Sequence, residues 1–468
     1  MIPESNSTIE SESRFKVPHV YVIIFSLIVI ATIATYLVPA GEYERIIDGD
    51  GREVVVEGTF TQIESSPVGF LGIFQSLHQG MVDGASIIFF IFIIGGAFGV
   101  FRATGALDGA INSISTKMNG KEIYLIPVLM IFFALGGAVF GLAEETIPYI
   151  MIITPLALML GYDSITGAAI VLGGASAGFS AAFMNPFTVG VAQGIAELPI
   201  YSGFVPRVVF WLIFVSVSIT YVMLYARKIK KDPTKSIMYE EDQKRNDNFN
   251  QDGQKITARQ GIILGILILT VVVLAFGVME YGWYITEIAG LFFLMGIIMG
   301  IVAKMHVNEI AEAFVKGCEV LVLGALVVGF AYAILVVLQD GKIMDTILHG
   351  LASAVSSLPA GLTAVGMYIS QAILNFIVPS GSGQAALTMP IMAPLSDLVG
   401  VSRQTAVLAF QFGDGISNIF TPTSGYFMAG LAAAGITWTK WVRWVWPLIL
   451  IQYVLGAIFI TIAHLFIF

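Results

Sequence analysis

Two adjacent glutamates, Glu144 and Glu145, lie in the sequence GLAEETIPY, in the middle of a very apolar stretch. They are the only charged residues in 123–162. Asp414, in the sequence FGDGIS, is a third acid inside an apolar segment. An ionisable residue at membrane depth is costly and therefore marks a candidate functional site. Three such acids with no central Lys or Arg predict a binding site for a positively charged solute, a proton or Na⁺.

Short polar side chains accompany these acids at four places where glycine or proline interrupts an apolar segment. The sequences at 141–146 and 379–384 predict the tips of helical hairpins. Those at 180–188 and 417–425 predict breaks within spans, because proline removes a backbone donor and disfavours helix before it. We expect the four elements to meet near the midplane, where free N–H groups suit anions and free C=O groups suit cations. The candidate substrate-binding residues are Glu144, Glu145, Thr146, Asn185, Thr188, Ser380, Ser382, Gln384, Asp414, Asn418, Thr421 and Thr423.

Each candidate also has a purely structural alternative. Glu144 and Glu145 would then face a hydrated vestibule, and only one of two adjacent helical residues can point inward. Asp414 would cap the next helical segment, and the hydroxyl and amide side chains would satisfy freed backbone groups. If transport is ion-coupled, Na⁺ is expected near Asn185 and Asn418. Scattered histidines and a single cysteine predict no metal site of the protein's own and no cofactor.

The composition predicts a membrane protein. The chain has 468 residues, of which 57% are hydrophobic and 12% are charged, whereas a soluble domain has about 25% charged residues. Apolar runs of about 20 residues recur along the chain, as spans require. The first run is too long for a signal-peptide core and no small-residue cleavage site follows it, so we interpret it as a retained span. Nothing in the sequence indicates nucleic-acid binding.

The charged loops predict the orientation of the chain. The segment 227–259 holds nine of the 23 Lys and Arg residues, so it is expected to be a solvated cytoplasmic linker. The loop 39–80 holds seven acids and two arginines, which fits the outer face. If 123–161 crossed the membrane once, the linker would lie outside. We therefore predict a re-entrant hairpin, whose tip must be buried in protein or line a wet cavity.

The second half of the chain repeats this pattern. Residues 153–172 align with 392–411, and the alignment pairs Gly161 with Gly400. Counting the crossings places the two halves in opposite orientations. The sequence therefore predicts an all-α polytopic membrane protein with inverted structural repeats, an architecture typical of secondary transporters.

The predicted first half comprises a cytoplasmic tail (1–18) and a first repeat (19–226) with spans 19–38 and 84–101, hairpin 123–161, broken span 163–197 and span 204–226. The predicted second half comprises the linker (227–259), a connecting span (260–280) and a second repeat (281–468) with spans 283–303 and 320–338, hairpin 360–398, broken span 402–435 and span 441–464. Interfacial helices are predicted at 65–80 and 306–317.

The hairpin and break motifs resemble those of a known family. The sequences GLAEETIPY, GGASAGFSAAFMNPFTVGVAQGIAELP and NFIVPSGSGQAALTMPIMAPLSDLVG are similar to those of the YfcC-type membrane proteins, in the anaerobic C4-dicarboxylate carrier-like group of the ion-transporter superfamily. The resemblance extends over about residues 16–468. It implies paired hairpins, a homodimer, elevator-type movement and exchange of basic amino acids. The first tip, LAEET, departs from the Ser/Asn/Thr tips of dicarboxylate carriers, which argues against dicarboxylate transport.

These observations predict a secondary active transporter that exchanges basic amino acids, such as arginine and ornithine, by alternating access. The alternative is a Na⁺- or H⁺-coupled transporter of C4-dicarboxylates, other amino acids or small peptides. An enzyme is not expected, because the aspartyl-protease-like sequence at 412–415 is preceded by Gln411 where that motif requires glycine. A channel is not expected either, because paired hairpins suit alternating access. The expected location is the inner membrane of a bacterium, with the C-terminus outside.

Overall fold

The computed structural model describes residues 20–47, 53–56, 58–106, 122–246, 257–281, 283 and 285–468. The predicted tail 1–18 and the linker residues 247–256 lie outside these ranges. The described part is a helical membrane protein, as the composition predicted. Within it, six helices are long and apolar enough to cross a membrane: Ala85–Ala103, Glu122–Val139, Phe204–Lys231, Ile285–Val302, Val307–Asp340 and Trp438–Ile467.

The helices of the first half are α1 (Val20–Leu37), α2 (Phe70–Asp83), α3 (Ala85–Ala103), α4 (Leu125–Val139), α5 (Thr146–Met159), α6 (Ser164–Ser180), α7 (186–195) and α8 (Phe204–Lys231). Those of the linker and second half are α9 (Tyr239–Asn246), α10 (Ala258–Tyr281), α11 (Ile285–Val302), α12 (Val307–Asp340), α13 (Met344–Ser356), α14 (Ala360–Asn375), α15 (Gly381–Leu398), α16 (Arg403–Ser417), α17 (Gly425–Ala434) and α18 (Trp438–Ile462). Four short strands form two antiparallel pairs, β1 (Gly41–Glu42) with β4 (Thr61–Gln62) and β2 (Arg45–Ile47) with β3 (Glu53–Val55).

Helices α3 and α12 pack closely and form one wall of the interior. Their backbones approach at glycines, since a Cβ added at Gly99 would lie 2.4 Å from the carbonyl oxygen of Ala313. The same holds for Gly317, where a Cβ would lie 2.2 Å from the carbonyl oxygen of Gly95. Small residues allow such close packing where lipid gives no hydrophobic driving force.

Two pairs of helices occupy the segments for which the sequence predicted re-entrant hairpins, and the re-entrant arrangement itself stays a prediction. Helices α4 and α5 are joined by residues 140–145, and α14 and α15 are joined by residues 376–380. The first arm of each hairpin packs against the helix that begins a broken span, α4 on α6 and α14 on α16. Residues 181–185 interrupt the first broken span and residues 418–424 the second. The hairpin tips and the breaks are therefore the non-helical segments inside the helical bundle.

The structure differs from the predicted organisation in three places. The interfacial helix 306–317 and the span 320–338 are one continuous helix, α12, because Lys316 and Glu319 lower the hydropathy without interrupting the helical backbone. A capping box at His306 begins this helix, with a 2.7 Å bond from the His306 N–H to Glu309. Helix α13 and the four strands were not predicted.

The linker is not simply solvated. Asp242 of α9 is buried and accepts hydrogen bonds from the Ser164 N–H (2.9 Å) and Oγ (3.0 Å) at the start of α6. Arg245 donates to the carbonyl oxygens of Ala434 (2.7 Å) and Gly435 (2.8 Å) at the end of α17. Helix α9 thus joins the same-side ends of the two broken spans.

Candidate functional site

A cavity of about 200 Å³ lies where the four irregular elements meet. We call it the central cavity. Both hairpin tips, both breaks, α3 and α12 contribute to its walls, so the structure brings together the segments that the sequence singled out. Of the predicted site residues, six line it: Glu144, Thr188, Ser380, Ser382, Asn418 and Thr423.

The first tip is held against the first break by Asn185. Gly141 at the tip has a φ of +70°, and a Cβ there would lie 2.8 Å from Asn185 Oδ1. This oxygen accepts a 2.9 Å bond from the Phe187 N–H and so caps the helix that follows the break. The amide nitrogen donates to the carbonyl oxygen of Gly137 at 3.5 Å. Asn185 therefore joins the two elements and does not line the central cavity.

The two adjacent glutamates have different environments. Glu144 lines the central cavity and is partly exposed there. Glu145 is buried and its carboxylate accepts a 3.0 Å bond from the Ala143 N–H. The Thr146 hydroxyl also bonds within the tip, where it donates to the carbonyl oxygen of Ala143 at 2.5 Å. The structure thus separates a cavity-facing acid from one that stabilises the tip itself.

The second tip ends in the N-terminus of α15, which opens into the central cavity. Ser380 caps this helix, because its Oγ accepts a bond of 3.3 Å from the Gly383 N–H. A Cβ at Gly381 would lie 2.5 Å from Thr188 Cγ2 and 3.3 Å from Asp414 Oδ2, so the tip closely approaches α7 after the first break and α16 before the second. The free N–H groups of this helix are suited to a carboxylate.

Asp414 lies one layer behind the cavity wall. It is fully buried, and its Oδ1 accepts bonds from Asn375 Nδ2 (2.8 Å) and Asn418 Nδ2 (3.2 Å). Gln384 belongs to the same network, where it accepts from Asn375 at 3.2 Å and donates to the Gln371 side chain at 2.8 Å. Neither Asp414 nor Gln384 lines the central cavity, but Asn418 connects this network to it.

Several hydroxyl groups at the breaks have no hydrogen-bond partner among the described residues. Each is buried, and unpaired buried polar atoms are rare in folded proteins. Thr188 and Thr423 line the cavity, whereas Thr421 does not. The atoms are Thr188 Oγ1, Thr421 Oγ1, Thr423 Oγ1 and Ser424 Oγ. Of these, the hydroxyls of Thr188 and Thr423 can offer a donor and acceptors to a small polar solute in the cavity.

The sequence analysis missed the aromatic part of the wall. Tyr332 of α12 and Tyr426 of α17 line the cavity, as do Phe179 and Phe187 at the first break. Aromatic faces attract cations such as guanidinium and ammonium groups. Tyr426 directly follows the second break and Phe187 lies within the first, so proximity to the breaks was the available signal.

No Lys or Arg is among the described residues that line the central cavity. The arginine at the start of α8, Arg207, is fully buried. It does not line the cavity, and its Nη2 donates to Gln404 at 3.5 Å. The charge within the cavity wall is therefore that of Glu144, with Asp414 behind it.

Comparisons with known proteins agree with a transporter. The family model DcuC, described as "C4-dicarboxylate anaerobic carrier", matches residues 17–465. An Escherichia coli K12 protein named "Putative basic amino acid antiporter YfcC" is 38% identical over 469 residues, which cover 92% of this chain and 93% of the relative.

Two solved structures are distant matches. The YdaH transporter of Alcanivorax borkumensis, described as having an unusual topology, has a TM-score of 0.42 and 14% identity, covering 95% of this chain and 98% of its own. Neisseria gonorrhoeae MtrF, described with a class of antimetabolite efflux pumps, has a TM-score of 0.41 and 18% identity, covering 96% of each chain.

Proposed function

The chain belongs to the DcuC family of C4-dicarboxylate anaerobic carriers, and we propose that within this transporter family it is an antiporter of basic amino acids. It is a multi-pass membrane protein of a transporter family whose substrates are small molecules. The proposal concerns which solute the central cavity binds and what drives its movement. Arginine and ornithine are the substrates that best suit its chemistry.

The observation that carries the proposal is the position of Glu144 in the wall of a cavity that no described Lys or Arg lines. A guanidinium or ammonium group would bind the Glu144 carboxylate, and Tyr332 and Tyr426 would contact the same cation through their rings. The N-terminus of α15 supplies N–H groups for the α-carboxylate at another part of the wall. One cavity thus has places for both charged ends of a basic amino acid.

A dicarboxylate suits this cavity poorly, although the family is named for such substrates. One of its carboxylates would find the N-terminus of α15, but the other would lie in a small cavity with Glu144. Like charges at short range in a desolvated site repel strongly. The substrate proposed for this chain therefore differs from the one in the family's description.

Exchange is favoured over ion-coupled uptake by the cost of an empty site. Without a cation, the carboxylate of Glu144 would have to cross the membrane region unpaired, which opposes movement of the empty carrier. A second cationic amino acid on the return path removes this cost. The competing proposal is ion-coupled uptake, in which the acids bind H⁺ or Na⁺.

We also propose the orientation and assembly that the sequence predicted. The linker containing α9 would face the cytoplasm of a bacterium, because it holds the largest cluster of Lys and Arg. The loop with strands β1 to β4 would then face outside. A homodimer is proposed from the family resemblance.

The test is counterflow in proteoliposomes without an ion gradient. Vesicles would contain unlabelled arginine or ornithine and receive labelled arginine outside, with vesicles lacking internal amino acid as the control. Labelled citrulline is a matched probe, because it replaces the guanidinium with a neutral group of the same shape. Accumulation of arginine but not citrulline, dependent on internal arginine, is the expected result. Accumulation of labelled succinate without accumulation of arginine would refute the proposal.

A further inference from the structure

A second cavity of about 630 Å³ lies between the strands of the first loop, α12, α13 and α15. We call it the outer vestibule. It shares four lining residues with the central cavity, which are Tyr332, Leu335, Val378 and Ser380. The two spaces are therefore separated only by this shared wall, and a solute in the vestibule lies next to the proposed binding site.

The vestibule contains one buried acid, Asp345, in the first turn of α13. Asp345 is 3% exposed. Its Oδ1 accepts a 2.7 Å bond from Arg45 Nη2, and its Oδ2 accepts a 2.9 Å bond from the Tyr43 N–H. The Arg45 side chain is 33% exposed, so the arginine of this pair is accessible where the acid is not.

Arg45 belongs to strand β2, whose partner strand β3 packs against α15. The ion pair therefore ties the first loop to α13 over the route towards the second hairpin. The vestibule also contains a weaker pair, Lys342 with Glu42, at 3.4 Å, with both side chains about half exposed. Exposed pairs of this kind contribute little to stability. A matched control pair lies outside the vestibule, where Lys235 contacts Asp232 at 3.1 Å and both side chains are exposed.

We infer that Asp345 is a relay site for the cationic end of the substrate, on which the substrate's guanidinium or ammonium group replaces the guanidinium of Arg45. This inference rests on the proposed function. The guanidinium of Arg45 binds the Asp345 carboxylate through a charge-assisted N–H···O bond, as the guanidinium of an arginine substrate would. Departure of Arg45 removes the ion pair between strand β2 and α13, while the Tyr43 N–H keeps its bond to Asp345, and the displaced arginine side chain widens the route to the central cavity.

The energetics favour replacement over simple opening. A buried carboxylate that loses its cationic partner is left uncompensated, which is strongly destabilising. Replacing one guanidinium with another keeps the carboxylate paired, so only a cation opens the pair at low cost. A neutral or anionic solute lacks this ability, and the vestibule would select cations before the central cavity does.

The test measures counterflow at varied external arginine with four variants. Asp345→Asn is expected to raise the half-saturation concentration for arginine about tenfold, because one charge-assisted hydrogen bond to the substrate is lost. The maximal rate should be nearly unchanged. Arg45→Gln is expected to lower it, because the competitor for Asp345 is gone. The control variants Asp232→Asn and Lys235→Gln, at the exposed linker pair outside the vestibule, should behave as the unmodified protein does.

A charge swap separates a relay from a structural tie. The double variant Arg45→Asp with Asp345→Arg restores the ion pair but places a cation on α13. If Asp345 is a relay site, this variant should have a raised half-saturation concentration for arginine and normal thermal stability. Recovery of the normal half-saturation concentration in the swap would overturn the inference, as would an unchanged value in Asp345→Asn. If Asp345→Asn does not fold, an unchanged or raised value in Arg45→Gln overturns it. Absence of all arginine exchange in the unmodified protein would refute the proposed function itself.

Discussion

Asn418 donates a 3.2 Å hydrogen bond to Asp414 while its own side chain lines the central cavity. Through this contact, a fully buried acid is connected to the space in which a substrate would bind. Asn375 donates to the same oxygen at 2.8 Å, so Asp414 holds one amide from α14 and one from the start of the second break. The acids at the centre therefore have separate roles, with Glu144 in the wall and Asp414 positioning the amide beside it.

Substitution of the two adjacent glutamates should have unequal effects. Glu144→Gln is expected to reduce arginine exchange at low concentration by about tenfold to a hundredfold, the value of a hydrogen bond to a charged group. Glu145→Gln keeps an acceptor for the Ala143 N–H and should retain most of the exchange. Counterflow with equal amounts of each purified variant measures this. Equal loss in both variants would contradict the assignment.

Asp414 should tolerate an amide better than an apolar side chain. Asp414→Asn keeps an oxygen that can accept from Asn375 and Asn418, so we expect a reduction of exchange smaller than in Glu144→Gln. Asp414→Leu removes the acceptor of the buried Asn418 amide, at a cost of about 1–3 kcal/mol, whereas Asn375 keeps its 3.2 Å bond to Gln384. Exchange and thermal stability in detergent should both fall in the leucine variant. A more severe loss in Asp414→Asn than in Glu144→Gln would instead indicate that Asp414 binds the coupling ion.

Local sequence signals indicated where helices end within the predicted hairpins and broken spans, because helix boundaries depend on local chemistry. Gly161 and Gly400, which the alignment paired, both adopt positive φ values, +79° and +73°. Each precedes a matching N-cap, Asp163 accepting from the Thr166 N–H and Ser402 from the Thr405 N–H. A glycine, which tolerates a positive φ, followed by a capping side chain can be recognised in a single sequence. The inverted orientation of the two halves stays a prediction.

Contacts between distant segments could not be predicted in the same way. The choice between Glu144 and Glu145 depends on the turn at residues 140–145, which decides which carboxylate reaches the cavity. Tyr332 belongs to a helix that the sequence indicated only as a span, and its role follows from packing against the tips. The burial of Arg207 likewise depends on α16, which supplies Gln404.

Close packing of α3 on α12 predicts a strict size limit at Gly99. In Gly99→Ala the new methyl group would lie 2.4 Å from the Ala313 carbonyl oxygen, and backbone atoms cannot give way cheaply. We expect a loss of about 1–3 kcal/mol in stability, the usual cost of overpacking. Gly290→Ala in α11 is the matched control, since a Cβ there meets nothing within 4 Å. A thermal shift assay in detergent should show a lower Tm for Gly99→Ala only.

The contacts of α9 predict that the linker is docked. Arg245→Gln removes the charge that binds the Ala434 and Gly435 carbonyl oxygens at the end of α17, with an expected loss of about 1–3 kcal/mol in docking free energy. The linker should then open more often and be cleaved by trypsin at its remaining Lys and Arg residues faster than in the unmodified protein. Lys231→Gln removes the same charge and one trypsin site at an exposed position of α8, so it controls for both effects. Equal cleavage rates in the two variants would show that Arg245 does not hold the linker, whereas faster cleavage together with slower exchange would connect docking to transport.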